Sequence, residues 1–155
     1  MTAVTELPPD DLARACAEAM WADDRTSQHL GMQITEIGAG RATITMTVTE
    51  LMTNGHGTCH GGYIFTLADS AFAFACNGYN QRTVAQHCSV TYLRPAHLGD
   101  VLTATAREVS RTGRSGIYDI PVTNQDGVHI AEFRGHSRTV NGTHLPTGND
   151  AGDAQ

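Results

Sequence analysis

The stretch Gly61-Gly62-Tyr63-Ile64-Phe65-Thr66-Leu67-Ala68-Asp69-Ser70-Ala71-Phe72-Ala73-Phe74-Ala75-Cys76 decides how the chain folds. Ile64, Leu67, Ala68, Ala71 and Ala75 form one stripe at helical spacing, and Tyr63, Phe65, Phe72 and Phe74 cover much of the remaining circumference. Between Tyr63 and Cys76 only Thr66, Asp69 and Ser70 are polar. A helix that is apolar nearly all round is a buried helix. The spacing therefore predicts a central helix from Gly61 to Asn77, covered on most sides, with Gly78 as its C-terminal cap. The run is too short to span a bilayer, and it carries a carboxylate.

On the N-terminal side, Arg41 to Thr49 alternates strictly. Ala42, Ile44, Met46 and Val48 share one face, and Thr43, Thr45, Thr47 and Thr49 share the other. That is the pattern of a half-buried antiparallel strand. An earlier strand, about Met32 to Ile37, joins it through a Gly38-Ala39-Gly40 turn. Still earlier, Asp10 to Gln28 carries Leu12, Ala15, Cys16, Ala19 and Met20 at helical spacing, with Asp10 and Asp11 at the positive end of the dipole. On the C-terminal side, strands are expected near Thr83–Leu93, Val101–Ser110, Gly116–Thr123 and Val128–Val140. The turn signals Arg94-Pro95, Arg111-Thr112-Gly113-Arg114 and Asn124-Gln125-Asp126-Gly127 separate them. Pro121 marks its strand as an edge or a bulge.

The order is helix, two strands, one long helix, then four strands joined by short turns, so the class is α+β, an antiparallel sheet wrapped around one helix. A single domain accounts for residues 1–155, with an ordered core over about 10–140. The segments 1–9 and 141–155, rich in Gly, Thr, Asp and Pro, are expected to be loose tails.

A formal charge of −6 argues against a general nucleic-acid or membrane-surface role. All ten basic residues are arginines, which excludes lysine Schiff-base chemistry and suits bidentate phosphate recognition. The N-terminus lacks the basic flank and apolar core of a signal peptide. Cys16, Cys59, Cys76 and Cys88 show no framework spacing; free thiols in a reducing, cytoplasmic setting are expected.

The candidate site starts from Asp69. An ionised carboxylate in an apolar helix is costly unless paired, and no cationic side chain lies within the helix to pair with it. The second element is His60-Gly61-Gly62 at the helix start. Two glycines cost about 1 kcal/mol each in helix propensity, but they leave backbone N–H groups open at the positive end of the dipole, where an oxyanion could be held. Gly61 and Asp69 are eight residues apart, about 12 Å along one helix axis. A reacting carbonyl needs both within roughly 3–3.5 Å of its own atoms. If both act on one carbonyl, Asp69 must come from a second, antiparallel helix across a two-fold axis, which predicts a dimer with two equivalent interfacial sites.

The stretch from Asn54 to Asp69 resembles the motif of the phenylacetic-acid-degradation thioesterases, the PaaI-type hotdog proteins. The likeness continues through Ser70–Asn77, Tyr92-Leu93-Arg94-Pro95, Gly99–Ala106, Tyr118-Asp119-Ile120 and Phe133-Arg134-Gly135, and covers about residues 20–140. The resemblance implies a hotdog fold, a homodimer or homotetramer, and hydrolysis of aryl- or acyl-CoA thioesters with no metal or other cofactor. It matches Gly61 to the backbone oxyanion donor, Asp69 to the catalytic carboxylate, Asn54 to a polar residue facing the thioester or the attacking water, and His60 to the motif histidine beside it. Asp69 stands where some relatives have glutamate, so its reach is shorter. The acyl-CoA substrate is expected to touch Gly62, Phe65 and Phe72, with Arg111 and Arg114, and behind them Arg94 and Arg138, offered to the CoA phosphates.

Other readings compete. His56, Cys59 and His60 could suggest zinc, but no second cluster stands at finger-like spacing. A Cys59 nucleophile beside His56 or His60 rests on sequence adjacency alone. Enoyl-CoA hydratases and dehydratases share the fold, and a non-catalytic acyl-CoA-binding module would keep the pocket while tolerating loss of Asp69. Medium-chain acyl-CoAs remain alternative substrates.

Overall fold

The computed structural model describes residues 4–148. Helix α1 (Pro9–Asp23) begins with a proline whose missing N–H costs nothing in a first turn, and Asp10 and Asp11 follow it. The single helix expected to Gln28 is in fact two. The Asp24 carboxylate accepts from Ser27 N at 3.0 Å and from Ser27 Oγ at 2.7 Å, ending α1 and starting α2 (Arg25–His29). Ser27 is fully buried, and its Oγ lies 3.0 Å from Ser70 Oγ, which ties α2 to the central helix.

Strands β1 (Gln33–Gly38) and β2 (Arg41–Thr47) pair around a turn in which Gly40 has φ 69°. Helix α3 (Gly61–Cys76) follows, and then β3 (Thr83–Tyr92), β4 (Val101–Thr112), β5 (Ser115–Thr123) and β6 (His129–Thr139). All pairs are antiparallel, and the six strands lie in the order β1-β2-β4-β5-β6-β3. The chain crosses from one end of the sheet to the other through α3, so that β3 becomes an edge strand.

The sheet closes on α3 with its apolar face. Ile44, Met46, Leu102, Tyr118, Ile120, Val122 and Phe133 are buried against Ile64, Leu67, Ala71 and Phe72. Each such large side chain contributes about 1.5–3 kcal/mol. The fit is close at Gly135, where a Cβ would sit 2.8 Å from the Phe72 ring. Helix α3 is not covered on every side, however. Thr66, Asp69 and Ala73, at i, i+3 and i+7, remain half-buried, and Gly62 extends the same stripe as an exposed residue.

Three further expectations change. Gly78 is not a left-handed cap: Asn77 caps α3, its Nδ2 donating to the Ala73 and Thr83 carbonyls, while Gly78 leaves room for Ala13, 3.1 Å from where a Cβ would stand. Pro121 lies in β5, an interior strand, so it marks no edge. It falls instead where pairing with β4 lapses, between Ala104–Val122 and Arg107–Asp119. Finally, the chain beyond residue 140 is anchored. Asn80 Oδ1 accepts from His144 N and Leu145 N at 3.0 and 2.8 Å, and Asn77 Oδ1 meets His144 Nε2 at 2.7 Å. The rest of that tail, from 149, lies outside the described residues.

Candidate active site

The loop before α3 is built by Asn54. Its Oδ1 accepts from His56 N at 2.9 Å and from Thr58 N and Thr58 Oγ1 at 3.3 Å, an Asx-type turn closed by Asn54 N to Thr58 O at 2.8 Å. The loop is then fastened on both sides, by Cys59 N to Ala96 O at 2.8 Å and His60 N to Met52 O at 2.7 Å. With Oδ1 engaged, Asn54 keeps only its Nδ2 without a partner among the described residues, so it can donate to a ligand but not accept from one.

His60 is the N-cap of α3, and its Nδ1 accepts from Gly62 N at 2.9 Å. That bond fixes the neutral ring as the tautomer with its proton on Nε2. It also takes Nδ1 out of use for any other partner. Gly62, expected to touch substrate, thus spends its N–H on the cap. The Gly61 N–H has no partner among the described residues, at the positive end of the helix dipole. Its peptide is overlaid by Tyr92 from the end of β3: the hydroxyl donates to Gly61 O at 2.8 Å, and a Cβ on Gly61 would stand 2.9 Å from the ring. Tyr92, Leu93, Arg94 and Pro95 wall a groove of about 440 Å³ whose floor includes Gly61 and Ile64. A larger groove of about 510 Å³ lies between α1 and β1, away from α3's N-terminus.

Asp69 is half-buried and makes no hydrogen bond or ion pair with another described residue. Burial pushes its carboxyl above the ordinary carboxylate value. The Cys76 and Cys88 thiols lie within its field. Burial, and after it the Asp69 charge, hold both up, Cys76 at about 12. Burial also pushes Cys59 up to about 11. None of these thiols is a ready thiolate at neutral pH, so Asp69 has no nucleophilic cysteine for a competitor. Within one chain α3 is continuous from Gly61 to Cys76, which leaves Asp69 about 12 Å along the axis from Gly61.

The remaining candidates separate. Phe72 is fully enclosed, tilted against Tyr118 and Phe133, and is a core side chain with no face toward a pocket. Phe65 is half-buried with its edge to Phe133, at 5.1 Å between centroids. Arg111 is already engaged: its guanidinium stacks 3.6 Å above the Tyr79 ring and stands 3.9 Å from Glu108, which also accepts from the Tyr79 and Tyr118 hydroxyls. Arg114 and Arg138 are exposed, with no side-chain partner among the described residues, and Thr139 N, next to Arg138, donates to Arg114 O beside the β4–β5 turn. Arg94 donates to the His129 carbonyl at 3.1 Å beside the groove. The residue that sequence reasoning left without a role is Tyr92. Its only signal is an aromatic placed just before Leu93-Arg94-Pro95.

Residues 56–131 match the thioesterase superfamily. Among characterised proteins, acyl-coenzyme A thioesterase PaaI of Escherichia coli (strain K12) is 46% identical over 127 residues, which are 82% of this chain and 91% of that one. The solved structure of the E. coli PaaI protein from the phenylacetic acid degradation operon superposes with a TM-score of 0.86 at 43% identity, over 88% of this chain and 99% of the other. A hypothetical thioesterase from Streptococcus pneumoniae TIGR4, solved with coenzyme A, superposes with a TM-score of 0.70 at 26% identity, over 72% and 90% of the two chains.

Proposed function

This chain belongs to the thioesterase superfamily and is an acyl-CoA thioesterase of the PaaI type; on that premise we propose that it hydrolyses phenylacetyl-CoA and its hydroxylated relatives, with Asp69 and Gly61 as the reacting pair. The observation that carries the site is that both groups are unspent. The Gly61 N–H lacks a partner at a helix start, and Asp69 is half-buried without a cation. Neither arrangement has a structural use in this chain, and each fits one half of thioester hydrolysis.

The thioester carbonyl accepts from the Gly61 N–H, where the helix dipole stabilises the oxygen as it gains charge. Asp69, its basicity raised by burial, takes a proton from the attacking water. The tetrahedral intermediate then expels the CoA thiolate. An attack by the carboxylate itself, through a mixed anhydride, uses the same placement. His60 Nε2–H and Asn54 Nδ2 are donors available to water or substrate, as their other atoms are committed.

Because the pair cannot meet within one chain, the working unit is a homodimer, alone or paired into a tetramer, with Asp69 supplied by the second subunit. Two features support this. The free edge of β3 runs for ten residues with Val84 and Tyr92 each 49% exposed, an open template for a second strand. The Gly62-Thr66-Asp69-Ala73 stripe is small enough for a second α3 to approach. Exposed Arg114 and Arg138 are the cations offered to the CoA phosphates. An enzyme acting on CoA esters belongs with the CoA pool, in the cytoplasm; its four thiols are free, and no helix among the described residues is long and apolar enough to cross a membrane.

The test is CoA release, followed with a thiol reagent, from aryl-acetyl and straight-chain acyl-CoAs. Fast turnover of phenylacetyl-type thioesters supports the reading. Turnover confined to straight chains keeps the chemistry and moves the substrate, and no release from any thioester sinks it.

A further inference from the structure

We propose that Tyr92 is a positioning residue of this site: it holds the Gly61–Gly62 peptide, and with it the start of α3 that carries the Gly61 N–H beside the groove. The inference rests on the reading of Gly61 as the donor to the thioester carbonyl. The Gly61–Gly62 peptide is gripped at both ends. The Tyr92 hydroxyl donates to its carbonyl at 2.8 Å, and His60 Nδ1 accepts from its N–H at 2.9 Å. The Tyr92 ring closes the third side, 2.9 Å from where a Gly61 Cβ would be.

Such a grip answers a specific weakness. Two successive glycines have the widest choice of backbone angles of any pair, yet an oxyanion donor works only when held within about 0.5 Å of its productive place. Tyr92 and His60 come from different elements, β3 and the loop before α3. Together they remove the freedom that the glycines bring. Tyr92 also walls the groove with Leu93, Arg94 and Pro95, so its ring borders the path to Gly61 while its hydroxyl fixes the peptide.

The two functions are separated by Tyr92→Phe, which removes the hydroxyl and keeps the ring, and Tyr92→Leu, which removes both. The oligomeric holoprotein is assayed for kcat and KM in CoA release, for Tm, and for the glycine amide resonances in a ¹⁵N–¹H spectrum. Tyr92→Phe is expected to lower kcat about tenfold with KM and Tm unchanged, and to move the Gly61 and Gly62 amide signals. Tyr92→Leu lowers kcat further and raises KM. A Tyr92→Phe protein with wild-type kcat, or one whose kcat falls only together with Tm, overturns the inference. Wild type that releases CoA beside an equally fast Tyr92→Phe brings down this inference alone. Wild type that releases none brings down the functional reading and this inference with it.

Discussion

Asp69 and Gly61 ride on the same unbroken helix, eight residues apart, Gly61 opening its first turn and Asp69 sitting past its middle. A straight helix cannot fold back on itself, so two chains must share each reaction centre if both residues act. Coexpressing Asp69→Asn chains with Gly61→Val chains tests this directly. Each variant alone is expected to be nearly inactive. Random pairing makes half the dimers mixed, and each mixed dimer has one intact centre, so about a quarter of wild-type activity should return. No recovery from mixed dimers isolated by two affinity tags would refute shared centres.

Replacing the carboxylate should separate activity from stability. Asp69→Asn is expected to reduce kcat at least a hundredfold, about 3 kcal/mol of barrier. The fold should not suffer, because an unpaired, half-buried charge is a liability. Its removal should stabilise by about 1 kcal/mol, raising Tm by about 2–4 °C. A lower Tm, read by scanning calorimetry, would mean that Asp69 has a structural partner.

The pH profile follows from the same shift. Burial raises the Asp69 carboxyl above its ordinary value of 3.8, so the proton is held to a higher pH than on an exposed aspartate. The proposed mechanism needs the deprotonated form. The logarithm of kcat/KM should therefore fall with unit slope toward acid, with its break clearly above 3.8. The stability term has the opposite sign: the folded state binds this proton more tightly, so Asp69 favours folding more as pH drops through the raised value. Asp69→Asn, compared across pH by thermal melts, should lose that acid-side gain.

The segment at 142–145 should be removable without harm to the chemistry. Asn80 has φ 55° and is the chief mooring, through His144 N and Leu145 N. Asn80→Ala combines a strained backbone with the loss of the bonds to His144 N, Leu145 N, Leu145 O and Cys16 Sγ, and is expected to cost about 2–3 kcal/mol. Asn80→Gly should cost less. Burial first, then the Arg82 charge, hold His144 below its ordinary value of 6.5. The freed segment thus takes up a proton more readily than the docked one, and docking weakens as pH falls from about 6.5. Proteolysis within 141–147 should quicken over that range, while Asn80→Ala cleaves fast at every pH.

Much of this was legible in the chain because burial writes a period. The alternation of Ala42, Ile44 and Met46, and the stripe through Ile64, Leu67, Ala68 and Ala71, gave β2 and α3 with ends within two residues. What was not legible depends on partners distant in sequence. Asp24 reads as one more polar residue in a helical pattern until its carboxylate is seen to cap Ser27. Nothing local to β3 says that it will pair with β6 rather than β4. Phe72 and Arg111 have the right chemistry for a pocket, but Tyr118 and Tyr79 claim them. Tyr92 went without a role because its use is a bond to a residue 31 positions away.

Asn77 binds the end of α3 to the returning chain: one side chain caps the helix, receives Thr83 N and meets His144, 67 positions later. The order of synthesis then matters. When α3 first emerges, its C-terminal cap is half built, and the ring that completes it arrives only 67 residues later. Closing so long a loop is an entropic toll collected late. A chain stopped short of His144 therefore leaves the seam at the end of Asp69's helix open.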